Sequence, residues 1–158
     1  MRLLSREMGR YRRAAPKLLN LGWRDWVALG KAQIALLRAQ RELKRRPTGE
    51  FVRDTSVERS PLPTIDRSEE VRRLAIAVRR AASFGLIRPL CLVRSLALRQ
   101  LLADAGIAGA NVRVGVQLVD GQFVAHAWVE YNGVVTGDDP DVVARYQPLT
   151  GIEVVEFR

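Results

Sequence analysis

The apolar residues of this chain follow a helical spacing over its first two thirds and an alternating one afterwards. From Trp23, "WRDWVALGKAQIALLRAQRELKRR" places Trp26, Val27, Ile34, Leu36, Leu37 and Leu43 on a broad apolar side, with Arg24, Lys31, Arg38, Arg41 and Lys44 mostly elsewhere. That spacing predicts an amphipathic helix. Pro47 stops it, and Pro16 and Gly22 separate it from a shorter helix before it. Residues 47–65, "PTGEFVRDTSVERSPLPTI", keep no period and hold three prolines, which predicts an irregular connector. Its length fits a mobile segment or one wrapped on the body.

A second helix follows in "DRSEEVRRLAIAVRRAASFG", where Val71, Leu74, Ala75, Val78 and Ala82 recur at i, i+3, i+4 and i+7. Asp66 and Glu69 have the spacing of a capping box, and Gly85 is placed as a C-cap. In "RPLCLVRSLALRQLLADAG", Pro89 suits the first turn of a third helix, with Cys91 still inside that turn and Gly106 at its end. This helix is apolar on most sides, which predicts a place in the centre of the fold.

The period then changes to two. "NVRVGVQL" alternates Val112, Val114 and Val116 on one face, Asp120-Gly121 is a hairpin turn signal, and "QFVAHAWVEY" is the return strand. On that strand Phe123, Ala125, Ala127 and Val129 share one face, and Val124, His126, Trp128 and Glu130 share the other. Asn132-Gly133 leads to a short strand "VVT", and "GIEVVEFR" is a candidate for one more. Helices first and an antiparallel sheet after them make an α+β fold.

Charge divides the chain differently. The first 50 residues hold 13 Lys and Arg against 4 Asp and Glu, an excess equal to the +9 of the whole chain, and the remaining residues balance at 13 against 13. The reading is therefore a basic helical segment at 1–46, a connector at 47–65 and a neutral body at 66–158. The basic segment is a candidate docking surface for an acidic partner, a solvated face of a helix folded onto the body, or, with Trp23 and Trp26 among arginines, a membrane-surface helix. No apolar run reaches the ~18 residues of a membrane span, and the N-terminus lacks the pattern of a secretory signal. A single cysteine rules out an internal disulfide, so the cytoplasm is the default compartment. No metal-ligand spacing and no phosphate-cradling glycine loop appears, so neither metal nor cofactor is expected.

Cys91 and His126, the one cysteine and the one histidine, carry the candidate chemistry. A thiolate is favoured at a helix N-terminus, where unpaired N–H groups and the helix dipole meet it, and those N–H groups also suit a developing oxyanion. His126 is held on a strand, and Asp138 returns alongside it after the next hairpin. The residues alone leave an ordinary reading open. A cysteine in an apolar helix is usually a small buried hydrophobe, a strand histidine is often structural, and Asp138, Asp139 and Asp141 around Pro140 suit turns and caps. Trp128 reads as packing.

The pieces "CLVRSLALRQLLADAGI", "VRVGVQL" and "FVAHAWVEYNGVV", with Asp138 and "YQPL" after them, resemble the transglutaminase-like leader peptidase of lasso-peptide biosynthesis, the C-terminal region of the family's B protein. The resemblance covers about residues 66–150. It implies a transglutaminase-like, papain-like fold and a Cys–His–Asp triad that cuts a precursor peptide between leader and core, before an ATP-dependent cyclase closes the ring. Matched by position, Cys91 is the nucleophile, His126 the base and Asp138 its orienter, with Asp139 adjacent and Gly137 standing where Asn or a similar residue is expected. Nothing in residues 1–65 resembles the winged-helix-like leader-binding domain of fused forms, which implies a stand-alone peptidase working with a separate leader-binding protein. Rival readings are another transglutaminase-like amidase or acyltransferase, and a basic nucleic-acid binder. The second has little support, since few aromatics lie among the basic residues and no binding motif is present.

Overall fold

The computed structural model describes residues 22–45 and 67–149. Its elements are α1 (Trp23–Arg45), α2 (Ser68–Phe84), α3 (Cys91–Asp104), β1 (Ala110–Val119), β2 (Gln122–Tyr131), β3 (Val134–Thr136), α4 (Pro140–Val143) and β4 (Gln147–Pro148). The four strands form one antiparallel sheet in the order β3-β2-β1-β4. The three long helices precede the sheet in the chain and pack on it chiefly through α3, an α+β arrangement, and the short α4 lies between β3 and β4. The expected connector at 47–65, the capping role of Asp66 and the strand at "GIEVVEFR" lie outside the described residues.

Helix α1 packs on α2 and α3. Its buried residues are Ala28, Ala32, Ala35, Leu36 and Ala39, whereas Trp26, Val27 and Ile34 are exposed. The side turned to the body is thus four alanines around Leu36, because small side chains let helix axes approach closely, and Trp26, Val27 and Ile34 lie outside the contact. Helix α2 buries Val71, Leu74, Ala75, Ala77, Val78 and Ala81 at the expected spacing. It ends at Gly85, whose backbone is extended (φ −81°) and not left-handed. A glycine is needed there for space, since a Cβ would collide with the backbone carbonyl of Ala81 as well as with the Gln33 side chain of α1.

Helix α3 begins at Cys91, not at Pro89. Leu90 is its cap residue, with extended backbone (φ −66°, ψ 164°) and no side-chain cap. Pro89 therefore precedes the helix, and Cys91 becomes its first residue. The last turn closes as a Schellman motif, with the Gly106 N–H donating to Ala103 O and the Ile107 N–H to Leu102 O. Gly106 takes the left-handed conformation this requires (φ 68°). Val93, Ala97, Leu98, Leu101 and Leu102 are buried, and α3 touches α1, α2, β1 and β2. Burial on so many sides explains an apolar helix with little amphipathic pattern.

The β1–β2 hairpin pairs over its full length, from Ala110 with Tyr131 to Val119 with Gln122. Val112, Val129 and Tyr131 belong to the helical core. Trp128, on the opposite face of β2, is also buried, at 2% exposure. Gly115 makes this possible: a Cβ there would lie 2.8 Å from the Trp128 ring and 2.9 Å from the Gln147 carbonyl of β4. The ring thus lies over a strand position that has no side chain, with the β4 backbone beside it.

Candidate active site

Three elements bring Cys91, His126 and Asp138 together. Cys91 is the first residue of α3, so its own N–H and those of the next two residues lack intrahelical partners; the first helical bond runs from the Arg94 N–H to Leu90 O. The Leu92 N–H, in that first turn, lies close enough to the Cys91 sulfur to favour its charged form. The Ala127 N–H favours the charged form of the same sulfur from β2, beyond the residues that β3 pairs. His126 hydrogen-bonds to Cys91, and its Nε2 lies 2.7 Å from Asp138 Oδ2. With Nε2 held by the carboxylate, Nδ1 is the nitrogen left to serve the thiol.

Asp138 is fixed on all sides. Its Oδ1 accepts the Asp139 N–H at 2.9 Å, and its Oδ2 also meets Arg94 Nη2 at 3.3 Å. Its side chain is only 5% exposed. The adjacent Asp139 does something else: it caps α4, accepting the Asp141 N–H at 3.0 Å ahead of Pro140 in the first turn. Between Thr136 at the end of β3 and Asp138, the chain turns through Gly137 at φ 79°. Glycine and asparagine are the residues that tolerate this region best, which explains why Gly137 can stand where Asn was expected. A Cβ on residue 137 would also lie 2.9 Å from Leu98.

The imidazole is held between two rings as well. Trp128 stacks with it at 6.3 Å between centroids and 20° between planes, and Tyr146 lies 5.0 Å away at 33°. The Trp128 Nε1–H donates to Glu130 at 3.0 Å, and the other Glu130 oxygen accepts from Arg113 Nε at 3.2 Å. Trp128 is therefore a packing residue as expected, and it packs against the histidine.

The protonation equilibria follow from these contacts. Burial by itself would raise the thiol of Cys91. The hydrogen bonds and charge of His126, with the Ala127 and Leu92 N–H groups, outweigh it and hold the thiol below its ordinary value. Burial would lower His126, yet the Asp138 and Cys91 hydrogen bonds and charges raise it to about 9. Burial opposes the charge on Asp138 too, and the His126 hydrogen bond, the Asp139 N–H and the Arg94 charge hold the carboxyl below its ordinary range. These contacts favour the charged forms, a thiolate–imidazolium pair backed by a carboxylate, an arrangement able to attack a carbonyl carbon and then protonate a leaving amine. Among the described residues no group of three His, Cys, Asp or Glu side chains could hold a metal ion.

The transglutaminase-like superfamily profile matches residues 33–151. The chain belongs to the transglutaminase-like superfamily. That superfamily includes cysteine peptidases and acyltransferases and is typically enzymatic. The match starts inside α1, so it takes in the second half of the helix as well as α2, α3 and the sheet. No curated protein and no solved structure matches the chain.

Sequence reasoning did not single out Arg94, Tyr146 or the Ala127 N–H. Arg94 carried a usable signal, since a residue three positions after Cys91 shares its helix face. Tyr146 opens the "YQPL" piece of the resemblance, a signal that gave it no role, and the Ala127 amide carried none, because its contact depends on how distant segments pack. Among the described residues, no helix is long and apolar enough to cross a membrane.

Proposed function

We propose that this chain is a cysteine peptidase that removes the leader from a lasso-peptide precursor, working with a separate leader-binding protein. The observation that carries the reading is the continuous hydrogen-bonded chain from Cys91 through His126 to Asp138 in a member of this superfamily. The motifs "CLVRSLAL" and "AHAWVE" on which the resemblance rests supply the Cys and His of that chain.

In this mechanism the Cys91 thiolate attacks the carbonyl carbon at the leader–core junction. The N–H of Cys91, at the start of α3, is placed to meet the oxyanion. The His126 imidazolium protonates the departing amine, which becomes the new N-terminus of the core, and the leader remains as a thioester on Cys91. Neutral His126 then takes a proton from water, whose oxygen attacks the thioester. The leader leaves with a free carboxylate, and the thiolate and imidazolium are restored. Asp138 keeps Nε2 protonated and Nδ1 aimed at the sulfur throughout. The cytoplasm suits this role, and the ATP-dependent cyclase is the expected consumer of the freed core.

The test is mass spectrometry of a precursor peptide incubated with the protein, with and without the leader-binding protein, using Cys91→Ala as control. Cleavage at one junction that requires Cys91 is the expected result. Transfer of the acyl group to an amine in place of water would assign the chain to the acyltransferases. No Cys91-dependent product in any combination would overturn the reading.

A further inference from the structure

The two hairpin turns determine which way each backbone group of β2 faces. Asp120-Gly121 and Asn132-Gly133 both have positive φ at both residues, the geometry of two-residue turns closed by a hydrogen-bonded pair. Val119–Gln122 and Tyr131–Val134 are those pairs. Backbone groups alternate along an antiparallel strand, so Gln122, Val124, His126, Trp128 and Glu130 bond to β1. Phe123, Ala125, Ala127, Val129 and Tyr131 turn their N–H and C=O groups the other way. β3 pairs only with residues 129–131 of β2, and the Ala127 N–H faces the Cys91 sulfur. Phe123 and Ala125 remain. They are exposed, and no strand lies beside them among the described residues.

This stretch lacks the usual protection of a free sheet edge. From Gln122 to Trp128 there is no Asp, Glu, Lys, Arg or Pro to discourage pairing. Phe123 sits opposite Leu118 in a non-hydrogen-bonded pair, the kind that brings side chains closest, yet the two are 79% and 64% exposed. An unpaired edge with an apolar pair at its far end runs directly into the nucleophile.

We infer that the open edge of β2 at Phe123 and Ala125 pairs with the substrate backbone as an added strand, and that Phe123 and Leu118 select an apolar substrate side chain. The inference rests on the peptidase reading, because the scissile carbonyl must lie at Cys91, beside Ala127. Phe123 is four residues from Ala127 along the strand, which is about 13 Å at the rise of an antiparallel strand. The selected side chain therefore lies about four residues from the scissile bond on one side. Main-chain pairing supplies affinity without sequence preference, and the exposed aromatic supplies the preference.

The test uses a set of blocked tetradecapeptides of varied sequence, digested by the full chain and by Phe123→Ser. Phe123 is exposed, so its replacement does not threaten the core. The wild-type protein is expected to favour peptides with Leu, Ile, Phe or Met at one fixed position about four residues from the cut. Phe123→Ser should lose that preference and raise KM for the best peptide about tenfold, with kcat little changed. In parallel, amide hydrogen exchange is measured on Cys91→Ala with the same peptides in excess. The Phe123 and Ala125 amides should slow, while those of Val124 and His126, already paired with β1, should change little. Unaltered preference in Phe123→Ser together with unchanged Phe123 and Ala125 exchange would overturn the inference and leave the peptidase reading standing if cleavage occurs. Protection of those two amides without cleavage would support the edge, and the precursor digestion with the leader-binding protein would then decide the peptidase reading. Neither cleavage nor protection would overturn the inference, again leaving the peptidase reading to the precursor digestion.

Discussion

Asp138→Asn separates a working Cys–His–Asp assembly from three residues that merely lie close together. The substitution keeps the size of the side chain and removes its charge. In the native protein His126 is raised from 6.5 to about 9 against the effect of burial, so the increase comes from its two partners, the Asp138 hydrogen bond first and Cys91 next. An opposite charge at hydrogen-bond distance shifts a partner by roughly 1–3 units, so losing it should bring His126 down by about that amount. The effect passes to the thiol: burial, which raises it, remains, while the charge of His126 that helps to lower it is lost once the imidazole is neutral. Each unit that the thiol rises above the ambient pH cuts its thiolate fraction about tenfold. The assay is the rate of Cys91 alkylation by iodoacetamide as a function of pH, followed by intact mass, which needs no peptide substrate. Wild-type alkylation should have its midpoint below the ordinary thiol value of 9.0. Asp138→Asn should move the profile toward that value and slow neutral-pH alkylation about tenfold or more. A profile unchanged by the substitution would refute the assignment of Asp138 as the group that holds His126 charged. So would a wild-type thiol that titrates at the ordinary value.

The same charges make stability depend on pH with opposite signs. His126, being raised, contributes stability that is complete below 6.5 and is lost as pH rises through about 9. Asp138, being lowered, contributes stability present above 3.8 and lost as pH falls through its folded-state value. Thermal unfolding should therefore show both limbs in the wild type and flatter limbs in Asp138→Asn. Arg94→Gln removes a cation from Asp138, so the carboxyl should rise and the acid limb of peptide cleavage should move to higher pH, with a rate loss smaller than that of Asp138→Asn. Gly115→Ala sets a methyl group against the Trp128 ring and the Gln147 carbonyl. It should cost about 1–3 kcal/mol in denaturant unfolding, and an unchanged midpoint would show that the ring does not lie over the strand as described. Gly137→Ala combines a left-handed backbone with the Leu98 contact. It should lower stability by about 1–3 kcal/mol and slow Cys91 alkylation at neutral pH, because Asp138 is the next residue.

Much of this architecture is a local property of the chain. The i, i+3, i+4 spacing in α2 produces a helix with one side on the core, and the period of two in the sequence of β1 and β2 produces strands, although Ala127, Trp128 and Val129 are buried in succession because both faces of β2 are covered there. Asp120-Gly121 and Asn132-Gly133 set the hairpins because few other residues accept positive φ at two successive positions. Once the turns are placed, pairing register and strand faces follow, and with them the position of His126. The helix N-terminus at Cys91 was visible within a turn. The start moved from Pro89 to Cys91 because Leu90 adopts an extended backbone, as Cys91 opens the first turn.

What remained depended on segments distant in the chain. Which side of α1 meets the body was decided by close helix approach, which selects alanines over the larger residues that dominate a hydrophobicity pattern. The choice between Asp138 and Asp139 is invisible in "GDDPD", since both are acidic and both lie within two residues of Pro140. It was decided by where β3 ends and how Gly137 turns, which aims one carboxylate at His126 and leaves the other to cap α4. Arg94, Tyr146 and the Ala127 amide entered the site for the same reason. Sequence spacing reports neighbours within a helix or strand, while contacts between elements exist only after the core has chosen how those elements pack.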